Sequence, residues 1–419
     1  MTEILIVALT IFGYAMFSER LSMSPVTAPM VFTTVGLVVG TGGLGVFDVQ
    51  LESESTQILI EVTLALVLFT DAIRIDLGRL RRQSWFPLRL LGVGLPLSFL
   101  IGLVAAALLF PSLPLAEAAL LAAALAPTDA ALGQAVVSDL RLPARLRQGL
   151  NVESGLNDGI ALPLVTVALA VAAAEASTSG LEGWQRFAAE QVGFGVLVGA
   201  GVGAVGGALL HQRASAGRVE PLYRQLAALS VLLAAYSGAV MPGGNGFIAA
   251  FCAGLAFGHV APGECDNAQD FTEDEGELLT AITFLVFGAV LVGPRLGDLT
   301  WQVGAYVALS LVVVRGLAVL VSLLGSGLRL ETRVFAAWFG PRGLASILFA
   351  LLIVDELDSP GADLVYLVVV WTVLVSVFAH GLSAAPWAGR LARRLADEQS
   401  GAPELGEVPD MPTRRRLAP

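Results

Sequence analysis

Residues 151–159 read Asn-Val-Glu-Ser-Gly-Leu-Asn-Asp-Gly and stand inside a long apolar stretch. They set Glu153 and Asp158 where a helix crossing a bilayer should carry no charge. A carboxylate at that depth costs roughly 2.5–3.5 kcal/mol on insertion scales, so it is expected to face a protein cavity and do chemistry there. Two further polar breaks interrupt apolar runs, Ala126-Pro127-Thr128-Asp129 and Phe339-Gly340-Pro341-Arg342-Gly343. Together the three segments point to one ion pathway assembled from several helices.

The rest of the chain agrees with a membrane setting. It is 56% hydrophobic and 14% charged, with a mean hydropathy of +0.77, which excludes an ordinary soluble domain. A helical span needs about 20 apolar residues to cross a hydrocarbon core of about 30 Å. Such runs predict helices over 3–18, 25–41, 56–76, 86–109, 114–138, 143–174, 187–210, 221–240, 245–260, 275–292, 298–324, 332–354 and 362–388. The fold class is therefore an all-α polytopic membrane protein of about thirteen transmembrane helices. One membrane domain fills 1–395, and a short, Pro-rich polar tail over 396–419 is expected to be unstructured. The acidic run Glu273-Asp274-Glu275-Gly276-Glu277 reads as a solvated loop that contributes to the net charge of -11.

Orientation follows from the basic residues, all of which are Arg. With the N-terminus outside, the inner loops and tail take Arg20, Arg74, Arg79, Arg81 and Arg82, Arg141, Arg145 and Arg147, Arg213, Arg218 and Arg224, Arg329 and Arg333, Arg390, Arg393 and Arg394, and Arg414 to Arg416. The outer loops keep only Arg186 and Arg295. By the positive-inside rule the C-terminus is cytoplasmic. The retained first helix, which lacks a basic leader and a cleavage site, favours a prokaryotic plasma membrane, as do the Arg-only basic content and the compact tail. Cys252 and Cys265 match no metal or redox spacing, and a disulfide is not expected.

The breaks fall in predicted helices 5 and 12, matching positions of two halves if helix 7 is a linker. That is the pattern of two inverted repeats whose discontinuous helices cross near mid-membrane and hold a substrate between them. Proline removes a backbone donor and frees a carbonyl one turn earlier, which a polar cavity or a cation can satisfy and lipid cannot. On helix 6, Ser154 and Asp158 are four residues apart and share a face, while Glu153 and Asn157 share the adjoining one. The first face is assigned to a cation, with Asn157 beside it, and Glu153 is expected to pair with Arg342 at the helix 12 break.

A hard monovalent cation takes oxygen ligands. Here Asp158 and Asp129 offer carboxylates, Ser154 and Thr128 hydroxyls, and the break near residue 127 free carbonyls. Burial favours the protonated acid and a bound cation the carboxylate, so Asp158 can hold proton and cation in turn. One such carboxylate beside a neutral Asn157 suggests one proton per cation. Asp71 on helix 3 either lines the site or pairs with Arg74. Arg315 and Arg89 are expected to snorkel or pair structurally, and His380 and His259 to make local hydrogen bonds near helix ends. The glycines between Gly193 and Gly207 are expected to serve close helix packing. No nucleotide-binding loop is present, and no nucleic-acid partner is expected.

The Asn157-Asp158 pair, the Thr128-Asp129 break and Gly340-Pro341-Arg342-Gly343 together resemble the monovalent cation:proton antiporter superfamily, specifically its electroneutral sodium/proton exchanger branch. The resemblance covers essentially the whole membrane region. It implies a homodimer in the bilayer that exchanges Na+ or Li+ for H+, and neither an enzyme nor a resident cofactor. It makes Asp158 the principal carrier, helped by Asp129, Ser154 and the Thr128 backbone, with Asn157 stabilising the crossed helices. Gly155 departs from it, standing where many relatives carry a bulkier residue, which implies altered packing near the ion. Asp71 stands where some relatives carry a Glu. A potassium/proton exchanger is the nearest alternative, since no motif fixes cavity dimensions. A cation channel lacks a repeated filter loop, and an intramembrane hydrolase lacks a paired aspartate or Gly-x-Ser-x-Gly motif.

Overall fold

A computed structural model describes residues 2–22, 24–47, 54–75, 85–176, 183–357, 359–396 and 404, and among them all regular structure is helical. In chain order the helices are α1 (Thr2–Ser22), α2 (Ala28–Val39), α3 (Glu54–Ile73), α4 (Trp85–Leu109), α5 (Leu115–Ala124), α6 (Ala130–Val137), α7 (Ala144–Ala176) and α8 (Trp184–Ser215). They continue as α9 (Pro221–Val240), α10 (Gly246–Val260), α11 (Cys265–Val286), α12 (Trp301–Ser322), α13 (Leu330–Trp338), α14 (Leu344–Glu356) and α15 (Pro360–Ala396). Taking α5 with α6, and α13 with α14, as single broken passes returns the thirteen predicted from hydropathy. Among the described residues seven helices are by themselves long and apolar enough to cross a bilayer.

Both breaks fall where proline puts them. Residues before Pro127 and Pro341 are biased out of the helical region, and each proline lacks the N–H that would continue the ladder. Thus α5 stops at Ala124 and α13 at Trp338. Among the described residues two other helices contain a widened π-turn, at Leu90–Gly94 in α4 and Leu309–Val314 in α12, and a third such turn, Phe287–Val292, continues directly from α11. Such turns re-aim the side chains that follow and recur at functional sites.

The described chain divides into two compact units. The first holds residues 1–58, 85–154 and 280–419. Its core gathers Phe86, Leu90, Leu146, Val319, Phe335 and Phe339, and Trp338 stacks on His380 with ring centroids 4.9 Å apart. The second holds residues 59–84 and 155–279. There a Cβ on Gly199 or Gly203 would strike the α10 backbone at Ala249 or Ala253, so the glycine run does serve close packing of α8 on α10. Asn245 caps α10, its Oδ1 accepting from the N–H groups of Phe247 and Ile248 at 3.0 Å each.

Some expected boundaries move. The acidic run 273–277 lies within α11 rather than in a loop, and Glu275 and Glu277 are exposed there. His380 lies inside α15, which runs to Ala396. In the tail expected to be unstructured, Glu404 is buried and accepts from the Thr332 hydroxyl at 3.0 Å. Arg79, Arg81, Arg82, Arg414–Arg416, the remainder of the tail beyond 396 and the side chains of Cys265, Glu273 and Asp274 lie outside the described residues.

Candidate functional site

The two breaks clasp each other inside the first unit. The N–H of Asp129 donates to the carbonyl of Pro341 at 2.8 Å. The Asp129 carboxylate accepts from the N–H of Leu344 through Oδ2 at 2.7 Å and from the N–H of Leu132 through Oδ1 at 3.1 Å. One side chain therefore caps the first turns of both α14 and α6, satisfying donors that a helix start leaves unpaired. The positive ends of two helix dipoles converge on it. From the other direction, the Ser346 hydroxyl donates to the carbonyl of Ala124, the last residue of α5, at 2.7 Å.

The carbonyls freed at the end of α13 are met one by one. A ring nitrogen of His380 bonds the Trp338 carbonyl at 3.0 Å. Arg315 donates to the Phe339 carbonyl at 3.4 Å, and Arg342 to that of Gly340 at 2.6 Å. The Ser376 hydroxyl accepts from the Arg342 N–H at 2.6 Å. Buried backbone groups must find partners, and here side chains from α12, α15 and the break itself supply them. Two glycines make the approach possible. A Cβ on Gly343 would land on the Asp129 carboxylate, and one on Gly340 would strike the Arg315 guanidinium.

α7 runs unbroken through the decisive motif. The Ser154 and Thr128 hydroxyls stand 3.1 Å apart, so two of the expected oxygen ligands are brought together beside Asp129. Asn157 and Asp158 are buried, Asp158 one helical turn on from Ser154. Within the second unit, Asp71 is buried and its carboxylate stands 3.9 Å from the Arg74 guanidinium, a long contact. A Cβ on Gly155 would lie 3.7 Å from the Asp71 Cβ, an ordinary contact, so an alanine there would fit.

The expected partner of Glu153 is corrected. Glu153 is held by Arg315 of α12 through both carboxylate oxygens, the Nη2–Oε2 contact at 2.9 Å, and both side chains are almost fully buried. Arg342 instead turns back onto its own break. The physical reason lies in α12, whose π-turn at Leu309–Val314 ends immediately before Arg315 and sets where its guanidinium points. Ser346, Ser376 and the Glu153 partner were missed in the sequence. The i, i+4 pair Ser376 and His380, two polar residues on one face of an apolar helix, is the signal that would have found part of it.

Crossed half-helices with capped, carbonyl-rich breaks inside a bundle of spans define a multi-span membrane protein of the discontinuous-helix class. The transmembrane sodium/hydrogen exchanger family matches residues 5–389, and the chain belongs to it. A K+/H+ antiporter, NhaP2, from Shewanella sp. strain ANA-3 is 27% identical over 91% of this chain. Its counterpart from Shewanella oneidensis is 29% identical over 87%, and the low-affinity Na+/H+ antiporter NhaS1 of Synechocystis sp. is 26% identical over 84%. The chain spans 66% and 62% of the two Shewanella proteins. The sodium proton antiporter MjNhaP1 of Methanocaldococcus jannaschii shares the fold, with a TM-score of 0.77, 19% identity and coverage of 94% of this chain and 97% of that one.

Proposed function

We propose that this chain exchanges a monovalent cation for H+ by alternating access, with Asp158 holding proton and cation in competition. The crossing of the two broken helices supports this most strongly. Cation sites of secondary transporters form where unwound backbone and half-helix ends meet, and Asp129 binds both strands of this crossing. In the proposed site Asp158 is the exchanging ligand, Asp129, Ser154 and Thr128 add oxygens, and Asn157, Glu153, Arg342 and Asp71 support them. Exchange is electroneutral, one cation for one proton, because a single carboxylate changes its occupant. The transporter acts as a homodimer in a prokaryotic plasma membrane, N-terminus outside and C-terminus cytoplasmic.

Sodium, with lithium as a substitute, is the ion that the resemblance to the sodium/proton exchanger branch favours. Potassium is the second reading, favoured by the K+/H+ antiporters among the relatives. Proton flux in proteoliposomes at clamped membrane potential, with sodium, lithium or potassium added, separates them. Wild type should move protons on addition of one of these ions and Asp158→Asn should not. Potassium-only movement moves the assignment to potassium, and unchanged flux in the variant removes Asp158 from the site.

A further inference from the structure

The peptide that joins Pro341 to Arg342 is gripped on both edges. Its carbonyl accepts from the Asp129 N–H at 2.8 Å, and its N–H donates to the Ser376 hydroxyl at 2.6 Å. A peptide is planar, with C=O and N–H pointing opposite ways, so whatever fixes Ser376 also fixes the oxygen on which the Asp129 backbone docks. Ser376 is met by His380, one turn along α15, whose Nδ1 lies 3.1 Å from the hydroxyl. On the far side of the ring, Nε2 lies 3.0 Å from the carbonyl of Trp338, the last residue of α13. One imidazole thus reaches both margins of the break.

The partners dictate where the hydrogens stand. A carbonyl can only accept, so Nε2 carries a proton. The Ser376 oxygen already accepts from the Arg342 N–H, which leaves its own hydrogen to point at a bare Nδ1. The donors then run one way, from Asp129 N–H to the Pro341 carbonyl, and from Arg342 N–H through the Ser376 hydroxyl and the imidazole to the Trp338 carbonyl. Hydrogen bonds in such a chain polarise and strengthen one another. An imidazolium would set a donor at Nδ1 against the hydroxyl hydrogen. It would also add a third cation where Arg315 and Arg342 already donate to the Phe339 and Gly340 carbonyls, while the carboxylate on Arg315, Glu153, is bound through both oxygens. The ring itself is buried and stacks on Trp338, whose indole N–H donates to the Ser383 hydroxyl at 2.8 Å.

We propose that His380, as the neutral tautomer protonated at Nε2, is a positioning residue of the cation site, and that through Ser376 and the 341–342 peptide it sets where Asp129 stands. This role rests on the exchange site proposed above, in which Asp129 contributes an oxygen. His380 touches neither cation nor exchanged proton in it. A slack chain lets the docking carbonyl turn and Asp129 drift, so its loss reads as weaker cation binding rather than only as less active protein.

Nitrogen NMR of histidine-labelled protein reads the tautomer directly, in an H211Q/H259Q background that leaves His380 as the one imidazole. At neutral pH, Nε2 should be protonated and Nδ1 bare, and the Nδ1 signal should move in Ser376→Ala. A proton on Nδ1, alone or with Nε2, overturns the proposal, as does an Nδ1 signal that Ser376→Ala leaves in place. The positioning role is read from the half-saturating concentration of sodium, lithium or potassium, whichever drives wild-type proton flux in proteoliposomes. Ser376→Ala and His380→Leu should each raise it about fivefold, the worth of roughly one ordinary hydrogen bond. His380→Gln, whose amide can place an N–H where Nε2–H stood, should recover part of that loss. Should His380→Leu fail to fold, Ser376→Ala and the NMR still decide. An unchanged half-saturation with a lower maximal rate reduces His380 to packing and overturns its role. Asp158→Asn run alongside separates the two readings. Flux surviving in it removes the exchange site, whereas an inactive Asp158→Asn beside an unchanged half-saturation in Ser376→Ala removes only the role of His380.

Discussion

Asp129 divides its two carboxylate oxygens between the backbone N–H groups of Leu132 and Leu344. Asparagine has nearly the same shape but one oxygen fewer, so in Asp129→Asn an amide NH2 faces one of those N–H groups. Leaving a buried donor unsatisfied costs about 1–3 kcal/mol. The variant should therefore unfold at a clearly lower temperature in detergent, and an unchanged midpoint would mean that other groups cap both helices. Glu153 gives a second residue-scale prediction. Removing one partner of a buried ion pair costs about 3–5 kcal/mol, so Glu153→Gln and Arg315→Gln should each destabilise strongly and the double variant by far less than their sum. Glu153→Gln with Arg342→Gln should come closer to additivity, and strong coupling in that cycle would restore the pairing expected from the sequence. That Glu153 needed a buried cation was legible, because an unpaired one is too costly. Which arginine was not, because a π-turn leaves no mark on apolar periodicity.

At the scale of elements, the crossing is held by contacts that only small residues permit. Gly343→Ala sets a methyl on the Asp129 carboxylate, and because the obstacle is fixed by two backbone bonds it cannot swing aside. The variant should lose most cation-dependent proton flux in proteoliposomes while still inserting, whereas flux near wild type would show that the crossing has slack. Ser346→Ala removes only the donor to the Ala124 carbonyl. It should cost on the order of 1 kcal/mol and lower the unfolding midpoint less than Asp129→Asn does. The breaks were legible in Pro127 and Pro341, as were the flanking polar residues. Their partners were not, because Ser346, Ser376 and His380 lie in helices whose apolar runs read as ordinary spans and meet the breaks only through the tertiary fold.

For the whole molecule, hydropathy alone returned the thirteen passes counted among the described residues, although only seven of these helices carry the length and apolar composition of a span by themselves. The division into two compact units was not legible, since each unit draws on separated stretches of chain and contact between distant stretches has no local signal. The proposed stoichiometry is a property at this scale. If one carboxylate trades one proton for one cation, the half-saturating cation concentration should rise as pH falls, by up to about tenfold per unit, because lower pH loads the competing proton. Two exchanging carboxylates would steepen that slope toward the square. The same alternatives differ electrically. Moving one net charge through 100 mV is worth about 2.3 kcal/mol, or about a fiftyfold shift in the equilibrium ion ratio, whereas a one-for-one exchange moves no net charge. Proteoliposomes with a fixed proton gradient should therefore reach the same final cation ratio whether the potential is clamped at zero or at 100 mV. A shift approaching fiftyfold would require a second proton per cycle and would bring Asp129 or Asp71 into the exchange alongside Asp158.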